Sequence, residues 1–407
     1  MLQRSKHDAF VTRLRWALRA QNCFGVSSLT IDKEGRLGSG RAGPKIVLVG
    51  LLLIILLAVW FIYGKNESAF VCKSYATRVV LFYYFVIIET IIAIFFNVIS
   101  TFKMAWPSSQ ESLAECWKQL IGKVQEIQAL YRCEIESKQP FLIFWLWMCV
   151  LSLSYCVLLT YMVLTSAVLF IVQTNHFILY GLRIFSYLSH TAAGASFGLF
   201  AMLLRIVLVE MQNMIRRSTV SETQLRSMIQ LYRHIHQIIE CFCDVYGWVL
   251  LIIFFEHFLI LTDRSFFAIR MYRLPMGFTF KQVLAMMMVW VFPLALNDML
   301  LIGACVATDR ALQEFEKQLC GLRKETVQDD SELTIMITSF ALYVAERKPK
   351  FRILKSINLN FGLLYGVNII SESLDNLKIS SVSFPFQSCG VIGTYLTVFL
   401  QFDSPNI

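Results

Sequence analysis

Charge is scarce in this chain. Asp, Glu, Lys and Arg make up 16% of its 407 residues, and 57% are hydrophobic. A soluble domain carries about 25% charge and about 45–50% apolar residues, so an ordinary soluble globular fold is excluded. The chain also lacks a cysteine framework. None of its eleven cysteines forms a C-x-x-C, and only Cys72 falls in a predicted external loop, which argues against a disulfide-stapled module. No phosphate-binding glycine loop, Gly-x-Ser-x-Gly or His-Glu-x-x-His occurs, so nothing argues for an enzyme, and no cofactor is expected. No cleavable leader is visible in residues 1–45, which are basic and polar. The net charge of +9 does not read as a nucleic-acid patch, because the basic residues sit between apolar runs.

Those runs are what is present. Seven apolar segments stand out, at residues 46–64, 79–102, 141–172, 184–209, 245–261, 283–306 and a last one near the end of the chain. Each of the first six nears or exceeds the span of about 20 residues that crosses a bilayer, and the third must tilt or extend beyond it. Lys and Arg set the orientation. With the N-terminus inside, 27 of them fall on inner segments and 8 on outer loops. The reading is an all-α membrane protein with seven transmembrane helices, a cytoplasmic N-terminus and an extracellular C-terminus. A G-protein-coupled receptor has the opposite orientation, and its Asp-Arg-Tyr after the third span is missing; Asp263-Arg264 lies after the fifth. Asn66-Glu67-Ser68 is a glycosylation sequon two residues from the first span, too close to the membrane for efficient use.

The inner segments are not linkers. Leu113, Trp117, Leu120, Val124, Ile127 and Tyr131 repeat at spacings of three and four. Leu225, Ile229, Tyr232, Ile235, Ile239 and Phe242 nearly do the same, as do Leu312, Phe315, Leu319, Leu322 and Leu333, Ile337, Phe340, Val344. That spacing lays an apolar stripe on one helical face. It predicts cytosolic helices over residues 108–138, 210–244 and 307–356 that pack as an anchor bundle, in preference to helices lying flat on the bilayer.

Few ionisable groups lie within the spans: Glu89, His190, Arg205, Glu256, His257 and Asp298. Such groups are costly in lipid and face a cavity or a partner. Tyr83, Glu89, Tyr187, His190, Glu256, His257 and Trp290 all fall toward the outer side on this topology, which suits an externally open small-molecule pocket. Singly, each reads more readily as an interfacial or packing residue, and the set carries the pocket better than its members. His234-x-His236 and Cys241-x-Cys243 have the residue types of metal ligands, but i and i+2 point apart on a helix, so no metal site is expected.

The last apolar segment ends in Thr394-Tyr395, five residues, then Gln401-Phe402. Gln401 in lipid is costly unless it faces a protein interior or a pore. This pattern, with seven spans and an inner N-terminus, resembles the insect gustatory receptor family, which is related to the odorant receptors. The resemblance implies a ligand-gated nonselective cation channel in the plasma membrane of sensory neurons. It implies a homo- or hetero-tetramer with other gustatory receptors, with a tastant as ligand. By the same resemblance Gln401 lines the pore, Val398 forms the hydrophobic constriction one turn before it, and Thr394 and Tyr395 orient the helix. Sugar-sensing members carry Glu directly after Thr-Tyr. Leu396 stands there in this chain, which implies a bitter-type or orphan ligand.

The seventh helix departs from the family. Residues 388–402 reach only about 22 Å as a helix, short of the roughly 30 Å core. Residues 357–366 form another apolar piece, and the polar stretch 367–387 separates the two. Joining the pieces restores a helix of about 37 Å. The stretch therefore reads as an insertion, and its ends admit codons for a splice donor and acceptor, as in a short intron translated in frame. If it stays in the protein, it breaks the pore helix and leaves an inactive isoform. A multi-pass secondary transporter is the other alternative, but the internal repeats it favours are not seen.

Overall fold

The computed structural model describes residues 2–24, 29–32, 37–39, 94–104, 106–131, 138–168, 174–217, 222–273, 280–326, 331–346, 350–353 and 357–359. The described part is almost entirely helical. Helix α1 is Leu2–Cys23, followed by the hairpin β1 (Leu29–Ile31) and β2 (Leu37–Ser39). Helix α2 is Ile94–Met104, the end of the predicted second span. Then come α3 (Pro107–Tyr131), α4 (Lys138–Val168), α5 (Thr174–Arg217), α6 (Glu222–Arg273), α7 (Phe280–Thr326) and α8 (Ser331–Glu346). A second hairpin joins β3 (Arg352–Ile353) to β4 (Ile357–Asn358).

Spans and inner helices are continuous. The predicted fifth span and the inner helix before it are one 52-residue helix, α6. At 1.5 Å per residue it is about 78 Å long, more than twice the hydrocarbon core. Helix α7 likewise carries the predicted sixth span and the first anchor stripe in 47 residues, with Pro293 inside it. Hydropathy divides these helices where the residues turn polar, but backbone hydrogen bonding has no reason to stop there, because no proline stands at either boundary. Four described helices are long and apolar enough to cross a membrane: Lys138–Val157, Ile184–Arg216, Thr223–His257 and Val291–Gly321.

The helical stripes are buried. Leu113, Trp117, Leu120 and Val124 of α3, Tyr232, Ile235 and Phe242 of α6, Phe315 and Leu319 of α7, and Ile337 and Phe340 of α8 lie in one apolar core. The aromatic contacts show how they meet. Tyr232 stacks on Phe315 at 5.8 Å and takes the edge of Phe340 at 5.1 Å. With these faces covered by neighbouring helices, they are not available to a bilayer surface. The outward face of α4 is different: Leu142, Leu146 and Leu153 are exposed, as a lipid-facing span requires.

Helices α5 and α7 pack most extensively. Small residues make this possible, as they do in membrane bundles generally. Ala192, Ala193, Ala195 and Ala201 are buried on α5. Gly198 admits the Trp147 ring of α4 so closely that a Cβ there would stand 2.5 Å from it. Thr308 on α7 donates its hydroxyl to the carbonyl of Ala201 across the seam at 2.8 Å.

Residues 2–23, for which the sequence reading assigns no element, form a helix with Phe10, Leu14, Ala17 and Leu18 buried. One segment differs from expectation. Ile357 and Asn358, expected to begin the last helix, are strand instead. Ile357 pairs with Ile353, the Leu359 amide donates to the Phe351 carbonyl at 2.9 Å, and Phe351, Ile353 and Leu359 are buried. The apolar side chains at 351, 353 and 359 find their partners as a hairpin packed on α6, so no helix starts at Ile357. The expected pore pieces beyond that point, and the insertion at 367–387, lie outside the described residues.

Candidate functional site

The polar groups of the spans converge where α4, α5, α6 and α7 meet. Three pairs of consecutive residues build the junction, one pair on each of α5, α6 and α7. Neighbours in a helix point about 100° apart, so each pair addresses two different helices. On α5, His190 faces α6 and Thr191 faces α4. On α6, Glu256 faces α5 and His257 faces α7. On α7, Asn297 faces α4 and Asp298 faces α6.

The distances close the circuit. His190 Nδ1 lies 2.7 Å from Glu256 Oε2, both side chains 2% exposed. His257 Nδ1 donates to Asp298 Oδ1 at 2.8 Å. The Trp147 indole N–H donates to Asn297 Oδ1 at 3.1 Å. The Tyr155 hydroxyl and Thr191 hydroxyl are 3.2 Å apart, and the Tyr155 ring lies 5.6 Å from that of Tyr187. Gly194, one turn from His190, leaves room for Asn297, whose Oδ1 would stand 3.3 Å from a Cβ there.

The two His–carboxylate contacts differ. His257 and Asp298 are aligned as a hydrogen bond. His190 and Glu256 approach as an ion pair but are not aligned, and both imidazole nitrogens and both carboxylate oxygens lack a hydrogen-bond partner among the described residues. A buried polar atom without a partner costs about 1–3 kcal/mol, more when charged. Such groups occur where a ligand, an ion or water completes them.

Tyr187, His190, Glu256 and His257 are therefore brought together, buried, around one junction. Glu256 and His257 stand 17 and 16 residues before the end of α6, because that helix runs on past the predicted span limit to Arg273. Trp290 lies on α7, but its side chain is outside the described residues, as are Tyr83, Glu89, Thr394, Tyr395, Val398 and Gln401. The sequence reading did not select Trp147, Tyr155, Thr191 and Asn297 as site residues. Its search was for ionisable groups in spans, and these four are neutral. A search for any hydrogen-bonding side chain in an apolar run would have found them.

The residue types of metal ligands on α6 turn to separate neighbours. His236 meets the Tyr343 hydroxyl at 2.8 Å, and Cys241 meets Cys116. Among the described residues no group of three His, Cys, Asp or Glu could hold a metal ion. Two open clefts, of about 390 and 330 Å³, lie elsewhere, between α6 and α8 at Arg226, Arg233 and Met336, and between α3 and α6 at Lys123 and His234. Neither is lined by a residue of the polar junction, and both combine exposed polar side chains with a buried isoleucine, Ile229 in one and Ile238 in the other.

Two solved structures and one family model are similar to this chain. The solved insect olfactory receptor OR5 from Machilis hrabei is similar over 86% of this chain and 88% of its own, at 13% identity and a TM-score of 0.44. Its complex with eugenol is similar over 97% of this chain and 100% of its own, at 13% identity and a TM-score of 0.46. No curated protein sequence matches the chain. The family model described as 7tm chemosensory receptor matches residues 14–369, which takes in every described helix from α2 to α8 and the second part of α1. This chain is a multi-pass membrane protein that belongs to the 7tm chemosensory receptor family, a family of receptors and not of enzymes.

Proposed function

We propose that the protein is a gustatory receptor, a tastant-gated nonselective cation channel that works as a tetramer, with a ligand more of the bitter type than a sugar. The observation that carries the ligand-binding part is the pair His190 and Glu256. Two buried polar side chains approach each other, yet none of their four polar atoms holds a hydrogen bond among the described residues. A ligand hydroxyl or amine seated there gains partners that the protein leaves unfilled, and it does so where four helices share polar contacts. Displacing Glu256 toward the ligand pulls on α6, and through the adjacent His257 it pulls on α7.

The subfamily and the pore rest on the sequence. Thr394-Tyr395 and Gln401-Phe402 supply the pore pattern, with Val398 as gate and Gln401 in the conduction path. The test is electrical. The chain lacking residues 367–387 is expressed in cells and challenged with a tastant panel. Ligand-evoked cation currents whose permeability changes with Gln401→Ala, and whose half-maximal concentration rises with Glu256→Gln at equal surface expression, are expected. Electrogenic uptake that saturates without unitary channel events would overturn the channel in favour of a transporter.

A further inference from the structure

Cys116 of α3 and Cys241 of α6 are 125 residues apart in sequence, and their sulfurs are 2.8 Å apart. That is far inside the ordinary contact distance of two sulfurs. A covalent disulfide needs about 2.05 Å, so the thiols have to close by less than about 1 Å to bond. Cys116 is buried, whereas Cys241 is half-exposed and its sulfur lies 4.0 Å from the Ser112 carbonyl oxygen. The pair sits beside a shape-matched seam. Trp117, next to Cys116, presents its edge to Phe200 and Phe242, and Phe242, next to Cys241, stacks on Phe200 at 3.5 Å. The helices therefore already hold the sulfurs in register, and little backbone movement separates the reduced from the bonded state.

We propose that Cys116 and Cys241 form a redox modification site, oxidised by a hydroperoxide to a reversible disulfide that clamps α3 to α6. The half-exposed Cys241 reacts first. Its thiolate attacks one peroxide oxygen, the O–O bond breaks, and Cys241 becomes a sulfenic acid as water or an alcohol leaves. The Cys116 sulfur then attacks the Cys241 sulfur, the S–O bond breaks, and the hydroxide takes the Cys116 proton away as a second water. The two thiols supply the two electrons that reduce the peroxide. The hydrogen bond from Cys116 favours the thiolate of Cys241, lowering its pKa, while that bond and burial push the Cys116 thiol up. The chemistry thus runs in one order. The Lys and Arg bias assigns this end of the molecule to the cytosol, where the few disulfides that form are mostly transient and regulatory.

The test uses the full-length chain in isolated membranes, treated with hydrogen peroxide and then with N-ethylmaleimide before digestion. A cross-linked peptide pair joining α3 to α6 is expected in most molecules. Labelling at both cysteines should fall at least fivefold and return with dithiothreitol. The pair should vanish in Cys241→Ser, a half-exposed and well-tolerated change, and equally in Cys116→Ala. Full labelling of both cysteines after peroxide, or oxidation of Cys241 to sulfinic acid with Cys116 still free, would overturn the proposal. This readout does not depend on ligand or current, so it stands or falls apart from the channel reading.

Discussion

Two histidines on α6 each meet an acid, in two different settings. His257 and Asp298 are 2% and 7% exposed and lie within the predicted spans. His236 is 6% exposed, but its acid, Glu240, is 67% exposed and 3.4 Å away on the same helix, outside them. His236 also has the Tyr343 hydroxyl at 2.8 Å, and Tyr343 in turn carries the Arg233 guanidinium 5.2 Å above its ring. In the stripe bundle, polar tips reach out from an aromatic core and water can replace any one of them. At the span junction both members of each pair are buried away from bulk solvent. The same residue types therefore serve as trim in one region and as structure in the other. The solvent available to the unpaired partner makes the difference.

The sharpest way to break the comparison is Asp298→Ala. It strands His257 in an apolar interior and should destabilise the receptor by about 3–5 kcal/mol, read as a lowered unfolding midpoint in detergent. An unchanged midpoint would mean the junction is wetter than its burial indicates. Gly198→Ala comes next. The added methyl runs into the Trp147 ring and should cost about 1–3 kcal/mol, with loss of the Trp147–Asn297 hydrogen bond visible as a change in tryptophan emission. Tyr155→Phe removes one neutral hydrogen bond to Thr191. In membrane bundles such a bond is worth about 0.6 kcal/mol, so a small drop in midpoint with unaltered fold is expected. Glu240→Ala should be the smallest, within about 0.5 kcal/mol, because that acid is mostly solvated. A Glu240→Ala effect as large as that of Asp298→Ala would erase the distinction between the two regions.

The helical stripes were legible in the sequence because burial repeats every three to four residues, and Trp117, Tyr232, Phe315 and Phe340 stand where the period puts them. The ionisable part of the junction was legible because charge in a span is conspicuous. Its neutral half was not, since Thr191, Asn297 and Tyr155 gain meaning only from neighbours 36 to 150 residues away. The N-terminal helix is hard to read from sequence, because Arg and Lys surround its apolar face and lower the mean hydropathy of the segment. Yet Phe10, Leu14, Ala17 and Gln21 recur at three and four, and all are buried. The hairpin at Arg352–Ile353 and Ile357–Asn358 is not legible because a short apolar run fits both the helical and the strand period. The join between spans and stripes was missed for a different reason. Hydropathy reports the solvent around a helix, and the solvent changes along α6 while the helix does not.

That unbroken helix has a mechanical consequence. Helix α6 contains no proline from Glu222 to Arg273, and it carries Glu256 in its second half and Tyr232 in its first. A rod about 78 Å long that rocks by about 5° around its middle moves each tip by about 3 Å in opposite directions. Packing at Phe242 sits near that midpoint and can act as the fulcrum. A displacement at Glu256 then reaches the stripe bundle, on the other side of Phe242, as a lever stroke of similar size, with no change of secondary structure along the way.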